Sequence, residues 1–183
     1  MATILITGGL GTVGAGLFQE LTTRKHHVVI CDLYHDAREV GFSVGTDIEV
    51  PLYARCDIGE FRQIERVFER MGPFEYVYNC AAEFGRWNGE DFYETLWHTN
   101  AVGAKNIIRL QEHYQFKLIH FSSSEVYGDW PELMIETVTD AHEIKQLNDY
   151  AMTKWVNEMQ VKNSATQYNT ESVVVRLFNT YGP

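Results

Sequence analysis

The sequence predicts an α/β fold, a doubly wound parallel sheet, on three observations. Short apolar runs alternate with helical patterns along all 183 residues. The runs are nearly continuous in apolar residues, so each strand is covered on both faces. A glycine-rich turn links the first strand to the first helix, and crossovers of this type are right-handed.

The elements follow in order. Strands are expected at 3–7 (TILIT), 27–32 (HVVICD), 51–56, 75–80 (EYVYNC), 116–121 (FKLIHF) and 172–178 (SVVVRLF). Helices are expected at about 12–24, 60–71, 92–114 and 148–168. The polar segment 129–147 lacks periodicity and reads as a long loop near the strand ends. There are no repeats or low-complexity tracts. The chain stops at NTYGP, a turn sequence with no capping element, and the expectation is that a second lobe is missing from it.

A chain of this length forms one domain and buries roughly 70% of its unfolded surface. It is 45% hydrophobic and 22% charged, a globular composition. Fifteen basic and twenty-five acidic residues leave a net charge of −10, which repels nucleic acid and anionic membranes. An anionic ligand must therefore be held by backbone amides or a few placed cations. Cys31, Cys56 and Cys80 close apolar runs, match no zinc spacing and are odd in number, so they read as reduced core residues. With no signal peptide and no run of ~18 apolar residues, the expected location is the cytoplasm. The seven histidines spell no metal motif. Trp87, Trp97 and Trp130 flank the expected site loops and read as core or interface anchors.

In ILITGGLGTVGAGL, Gly8, Gly11 and Gly14 recur every three residues, and Gly9, Gly11 and Gly14 also form G-x-G-x-x-G. Such a loop lets a pyrophosphate approach backbone N–H groups at a helix N-terminus, while Gly14 permits close packing of helix on sheet. Asp32 ends the second strand, where a carboxylate accepts the ribose hydroxyls of an adenosine and repels a 2′-phosphate. No Arg adjoins it in sequence, which favours NAD over NADP. Asp57 and Ile58 follow the third strand, where they either hold an adenine edge and face or serve as a cap. Further along, Tyr150 and Lys154 lie at i and i+4 and share one helix face. A nearby ammonium and a cationic nicotinamide ring stabilise a phenolate, so Tyr150 is expected to have a lowered pKa and to act as the base.

Together these motifs resemble the extended short-chain dehydrogenase/reductase family, in particular its NAD-dependent nucleotide-sugar epimerases, dehydratases and decarboxylases. The matching stretches are TGGLGTVG, Asp32, CDI, NCAAE, HTNAVGAKN, SSSEVYGD, YAMTK with Glu158, and RLFNTYGP. The resemblance implies a seven-stranded Rossmann domain, here residues 1–183 as the NAD-binding domain, followed by a smaller C-terminal substrate lobe. It implies NAD contacts from Gly8, Gly11, Thr12, Val13, Gly14, Asp32, Asp57, Ile58, Ala81, Ala82, Asn100, Tyr150 and Lys154. It makes Ser123, Tyr150 and Lys154 the catalytic triad, and assigns Ser123, Ser124 and Asn179 to a nucleotide-diphosphate sugar. It also implies a homodimer through helices 92–114 and 148–168, and no metal. Two departures stand out: NCAA replaces His-x-Ala-Ala, and Thr12–Val13 replace Phe-Ile.

Glu125 bears on the type of reaction. The family's dehydratases and decarboxylases have a glutamate two residues after the triad Ser/Thr, and its simple 4-epimerases usually do not. In an extended strand end Ser123 and Glu125 would share one face, with Ser122 and Ser124 turned away. The expected reaction is oxidation at sugar C4, then loss of water or CO₂ with Glu125 as acid/base. The alternatives are 4-epimerisation with Glu125 as a loop residue and, from another class, a non-catalytic NAD-sensing module.

Overall fold

The computed structural model describes residues 1–34, 52–83 and 92–179. Six parallel strands form one sheet among these residues: β1 Thr3–Thr7, β2 His27–Asp32, β3 Leu52–Arg55, β4 Tyr76–Asn79, β5 Lys117–Ser123 and β6 Ser172–Leu177. Their spatial order is β3-β2-β1-β4-β5-β6. The order reverses between β1 and β4, so the loops after these two strands diverge and leave a crevice at their carboxyl ends. The family resemblance implies seven strands, and six are paired among the described residues. Position 51 and Trp87 lie outside the described residues.

Alternation along the strands explains the two-sided core. Ile4, Ile6, Val28 and Ile30 pack with Phe18 and Leu21 on one face. Leu5, Val29, Val77 and Leu118 face the opposite layer, with Ile64, Phe68, Ile107 and Ile108. Each fully buried aliphatic side chain contributes about 1.5–3 kcal/mol.

Helix α1 (Thr12–Thr23) starts at Gly11, and α2 (Phe61–Met71) follows β3. The long helix α3 runs through Tyr93–Trp97, a π-helical stretch His98–Gly103, and Ala104–Tyr114. The segment expected to be wholly loop contains a short helix, α4 (Val138–Ala141). It folds back onto the chain after β5, with Asp129 accepting from the Lys145 amide and Gln146 donating to the Val126 carbonyl. Helix α5 (Asp149–Tyr168) has Asn148 as its N-cap, whose side chain accepts from the Ala151 amide at 2.8 Å.

Candidate active site

Two features of the glycine loop require glycine. Gly8 has φ +64, and a Cβ there would sit 2.7 Å from Ala81 Cα. A Cβ on Gly14 would lie 2.3 Å from the Gly8 carbonyl oxygen. The turn, α1 and the Ala81 loop are therefore in backbone contact, with α1's first N–H groups close to the crevice.

Two adjoining cavities open there. One, of about 350 Å³, is lined by Gly8, Gly11, Asp32, Asp57, Ile58, Ala81 and Ala82, among others. Asp32 accepts from the Leu10 amide at 3.0 Å and the Leu33 amide at 2.7 Å, one on each carboxylate oxygen. That leaves a lone pair on each for a ribose. Asp57 accepts from the Gly59 amide at 2.8 Å, so it forms a local turn as well as lining the cavity. In the sheet Arg55 is the registered neighbour of Asp32, a proximity hidden in the sequence. Its Nε donates to the Leu33 carbonyl, and with Arg66 and Arg70 it lines an adjoining groove of about 740 Å³ that shares Leu33 and Asp57 with this cavity.

The second cavity, of about 580 Å³, shares Gly8, Gly11 and Ala82 with the first. It brings together Thr12, Val13, Gly14, Ser123, Ser124, Glu125, Tyr150, Lys154 and Asn179. Asn100 lies outside both cavities. Its buried amide accepts from the Glu83 N–H and donates to the Glu83 carbonyl and Thr153 Oγ1, tying the loop after β4 to α5. Cys80, expected in the core, lines both cavities, and burial pushes its thiol up to about 12.

The serine run behaves differently from an extended strand end. β5 stops at Ser123, and Ser124–Tyr127 form a 3₁₀ turn. Ser123 caps that turn by accepting from the Glu125 amide at 3.2 Å. Strand alternation therefore does not set where Glu125 points; the turn does, and it brings Ser124 as well as Glu125 to the cavity. Ser122 also lines the cavity, but its hydroxyl donates to Glu158 at 2.6 Å. Glu125 is exposed, and its Oε2 accepts from Asn148 at 2.7 Å, a contact with the α5 cap that sequence reasoning missed. The Asn-Asp pair before the helical run was the available signal.

Lys154 is buried, and its Nζ donates to the Phe121 carbonyl at 2.8 Å. Burial pulls its pKa down to about 8, which leaves most molecules protonated at neutral pH. In the protein alone, without the cationic ring that the expectation includes, the Tyr150 pKa is raised. Burial is the main cause and the Glu125 carboxylate adds to it, while a hydrogen bond with Ser123 opposes both.

The NCAA departure also has a structural account. Asn79 accepts from Thr7 Oγ1 at 2.6 Å and pairs through Nδ2 with His120 Nδ1 at 3.2 Å. Thr7 Oγ1 in turn accepts from the Ala81 amide at 3.3 Å. A buried polar ladder across β1, β4 and β5 thus supports the Ala81 loop. Burial, with help from the Lys154 charge, holds His120 down at about 3, so the ladder ends in a neutral imidazole.

Trp130 stacks on His142 and lines neither cavity, while Trp97 sits in α3. Among the described residues no three His, Cys, Asp or Glu side chains gather as a metal site requires, and no helix is long and apolar enough to cross a membrane.

Comparison with known proteins places the chain in a family. The model of the NAD dependent epimerase/dehydratase family matches residues 4–183. UDP-glucuronic acid decarboxylase 1 of Xenopus tropicalis is 30% identical over 193 residues, covering 98% of this chain and 41% of that protein. A dTDP-glucose 4,6-dehydratase of Mycobacterium tuberculosis is 27% identical over 184 residues, covering 98% and 54%. The structure of Thermus thermophilus UDP-glucose 4-epimerase in complex with NAD superposes with a TM-score of 0.83 at 26% identity, over 99% of this chain and 56% of that one. The chain spans about half the length of the curated relatives it matches.

Proposed function

Because the chain belongs to the NAD dependent epimerase/dehydratase family, we propose that it oxidises C4 of a nucleotide-diphosphate sugar to a transient 4-keto sugar. Water or CO₂ is then lost, with Glu125 as acid/base. The observation that carries this reading is that Ser123, Glu125, Tyr150 and Lys154 face one cavity, which continues into the glycine loop.

The residues present fit NAD. Gly11 lines both cavities with bare backbone, where a Cβ would meet only the Gly8 carbonyl oxygen at 3.4 Å and otherwise project into open space, and Asp32 keeps acceptor capacity for a ribose. Gly8, Gly11, Thr12, Val13 and Gly14 would hold the diphosphate, Asp32, Asp57 and Ile58 the adenosine, and Lys154 and Tyr150 the nicotinamide ribose, with Ala81 and Ala82 beneath. Asn100 acts on this site through Glu83 and Thr153. Bound there, NAD supplies the hydride acceptor.

Tyr150 takes the proton of the sugar 4-hydroxyl. Ser123 donates to the same oxygen and stabilises its developing charge, an effect worth ~10²–10³ in rate. Lys154 holds positive charge beneath them, fixed by the Phe121 carbonyl. For loss of water, the ketone acidifies the C5–H and Glu125 removes that proton as the C6 hydroxyl leaves. For loss of CO₂, the C5–C6 bond breaks with its electron pair drawn to the ketone, and Glu125 delivers a proton to C5. In both cases the hydride taken from C4 then returns to the sugar. Asn148 orients the carboxylate. Ser124 and Asn179 line the substrate side.

The second reading is 4-epimerisation, which needs no acid beside the sugar. The bond between Glu125 and the α5 cap favours it, since that bond gives the carboxylate a structural task. A Glu125→Gln variant separates the two. If Glu125 is the acid/base, C4 oxidation persists while loss of water or CO₂ falls by ~10²–10⁴. Full retention of overall turnover contradicts that role.

Assembly as a homodimer through α3 and α5 is part of the proposal. Tyr93, Val102 and Met152 are exposed apolar side chains on these helices. Sedimentation as a monomer would contradict it.

A further inference from the structure

Behind the active-site cavity a buried ion pair joins five segments of the chain. The Glu158 side chain is 2% exposed and that of Arg176 11%. Arg176 donates through Nε to Glu158 Oε1 at 3.0 Å and through Nη2 to Oε2 at 2.7 Å. Oε1 also accepts the Ser122 hydroxyl. The remaining guanidinium donors reach Thr139 Oγ1 at 2.7 Å and the Glu136 carbonyl at 3.0 Å, and its carbon lies 4.8 Å from the Tyr127 ring centroid. β5, the 3₁₀ turn, the 129–147 segment, α5 and β6 therefore all meet at one pair of charges.

A buried ion pair is weak evidence of stabilisation, because an apolar pair of equal volume often serves as well. Its geometry here points to register instead. Tyr150, Lys154 and Glu158 follow one another at four-residue steps along one face of α5. Lys154 is fastened to the Phe121 carbonyl and Glu158 to the Ser122 hydroxyl, so two successive turns are pinned to two successive residues of β5. Tyr150, in the first turn of α5, hydrogen-bonds with Ser123, so three turns of the helix are tied to the single stretch 121–123 of β5.

We propose that Glu158 and Arg176 are a positioning pair that sets the register of α5 on β5 and seats the 129–147 segment, and so holds Ser123 against Tyr150. This rests on the reading that Ser123 and Tyr150 carry out C4 oxidation. Neither residue of the pair lines the cavity, so the pair acts on kcat through geometry, where a displacement near 1 Å costs about 10²-fold.

The test uses the NAD-loaded protein, the double variant Glu158→Leu/Arg176→Met and the single variant Ser122→Ala. In the double variant kcat should fall ~10²-fold, while KM and bound NAD stay within about threefold and the melting temperature stays near the parent's. Parental kcat in a folded double variant overturns the proposal. Ser122→Ala leaves the ion pair intact and cuts only its link to β5. Amide exchange over 121–127 should then quicken about tenfold, and unchanged exchange overturns the proposal even if the double variant does not fold. If the parent converts no UDP-, GDP-, CDP- or dTDP-sugar, the functional reading fails, and the exchange experiment still decides the positioning claim.

Discussion

Gly14→Ala places a methyl 2.3 Å from the Gly8 carbonyl oxygen and 2.8 Å from Gly9 Cα, both backbone atoms that no rotamer change can move. Ordinary contact begins at 3.4 Å, so α1 must retreat from the loop by about 1 Å. Overpacking of this kind costs about 1–3 kcal/mol, and the clash with rigid backbone puts it at the upper end. Alanine's better helix propensity returns ~1 kcal/mol. The net loss is ~2 kcal/mol, or ~4–8 °C in melting temperature for a domain of this size. Bound NAD should fall as well, because the retreat draws the helix N–H groups away from the diphosphate. Gly16→Ala is the internal control: it lies in the same helix, and its Cβ meets nothing within 4 Å. It should raise the melting temperature by ~2–4 °C and leave NAD content unchanged. Thermal melts and release of bound nucleotide from both variants test the argument. A Gly14→Ala protein as stable and as NAD-rich as its Gly16→Ala counterpart would refute it.

Other consequences follow from the same geometry. The Glu125 charge raises the Tyr150 pKa, so Glu125→Gln lowers it and phenolate forms at lower pH. The rising limb of cofactor reduction against pH should therefore move to lower pH in Glu125→Gln, and to higher pH in Ser123→Ala, which removes the opposing bond. Coincident profiles would contradict the assignment. Asn100→Ala strips partners from the Glu83 backbone and Thr153, and should cost about 1–3 kcal/mol in denaturant unfolding as well as weakening NAD retention.

The parts of this molecule legible in the sequence are those dictated by local chemistry. TILIT and HVVICD are strands because their β-branched residues suit burial on both faces. Gly8 and Gly14 stand out because no other residue fits, and Tyr150 and Lys154 because one helical turn aligns them. What escaped depends on distant segments. The alternation rule for Ser122 to Glu125 failed because β5 gives way to a 3₁₀ turn capped by Ser123. In the protein alone burial and the Glu125 carboxylate raise the Tyr150 pKa, and the Lys154 Nζ turns to the Phe121 carbonyl; the lowering expected from the sequence includes a cationic ring beside the phenol. Arg55 neighbours Asp32 only through sheet register, and Arg176 meets Glu158 only once β6 lies beside β5.

Oxidation at C4 followed by elimination is tested most directly by mass spectrometry of UDP-, GDP-, CDP- and dTDP-sugars incubated with the NAD-loaded protein and with its Tyr150→Phe variant. One sugar nucleotide should lose the mass of a water or a CO₂ with the parent, and Tyr150→Phe should abolish the conversion. A product of unchanged mass with an inverted C4 would establish the epimerase instead. Equal conversion by Tyr150→Phe would contradict the mechanism at its centre.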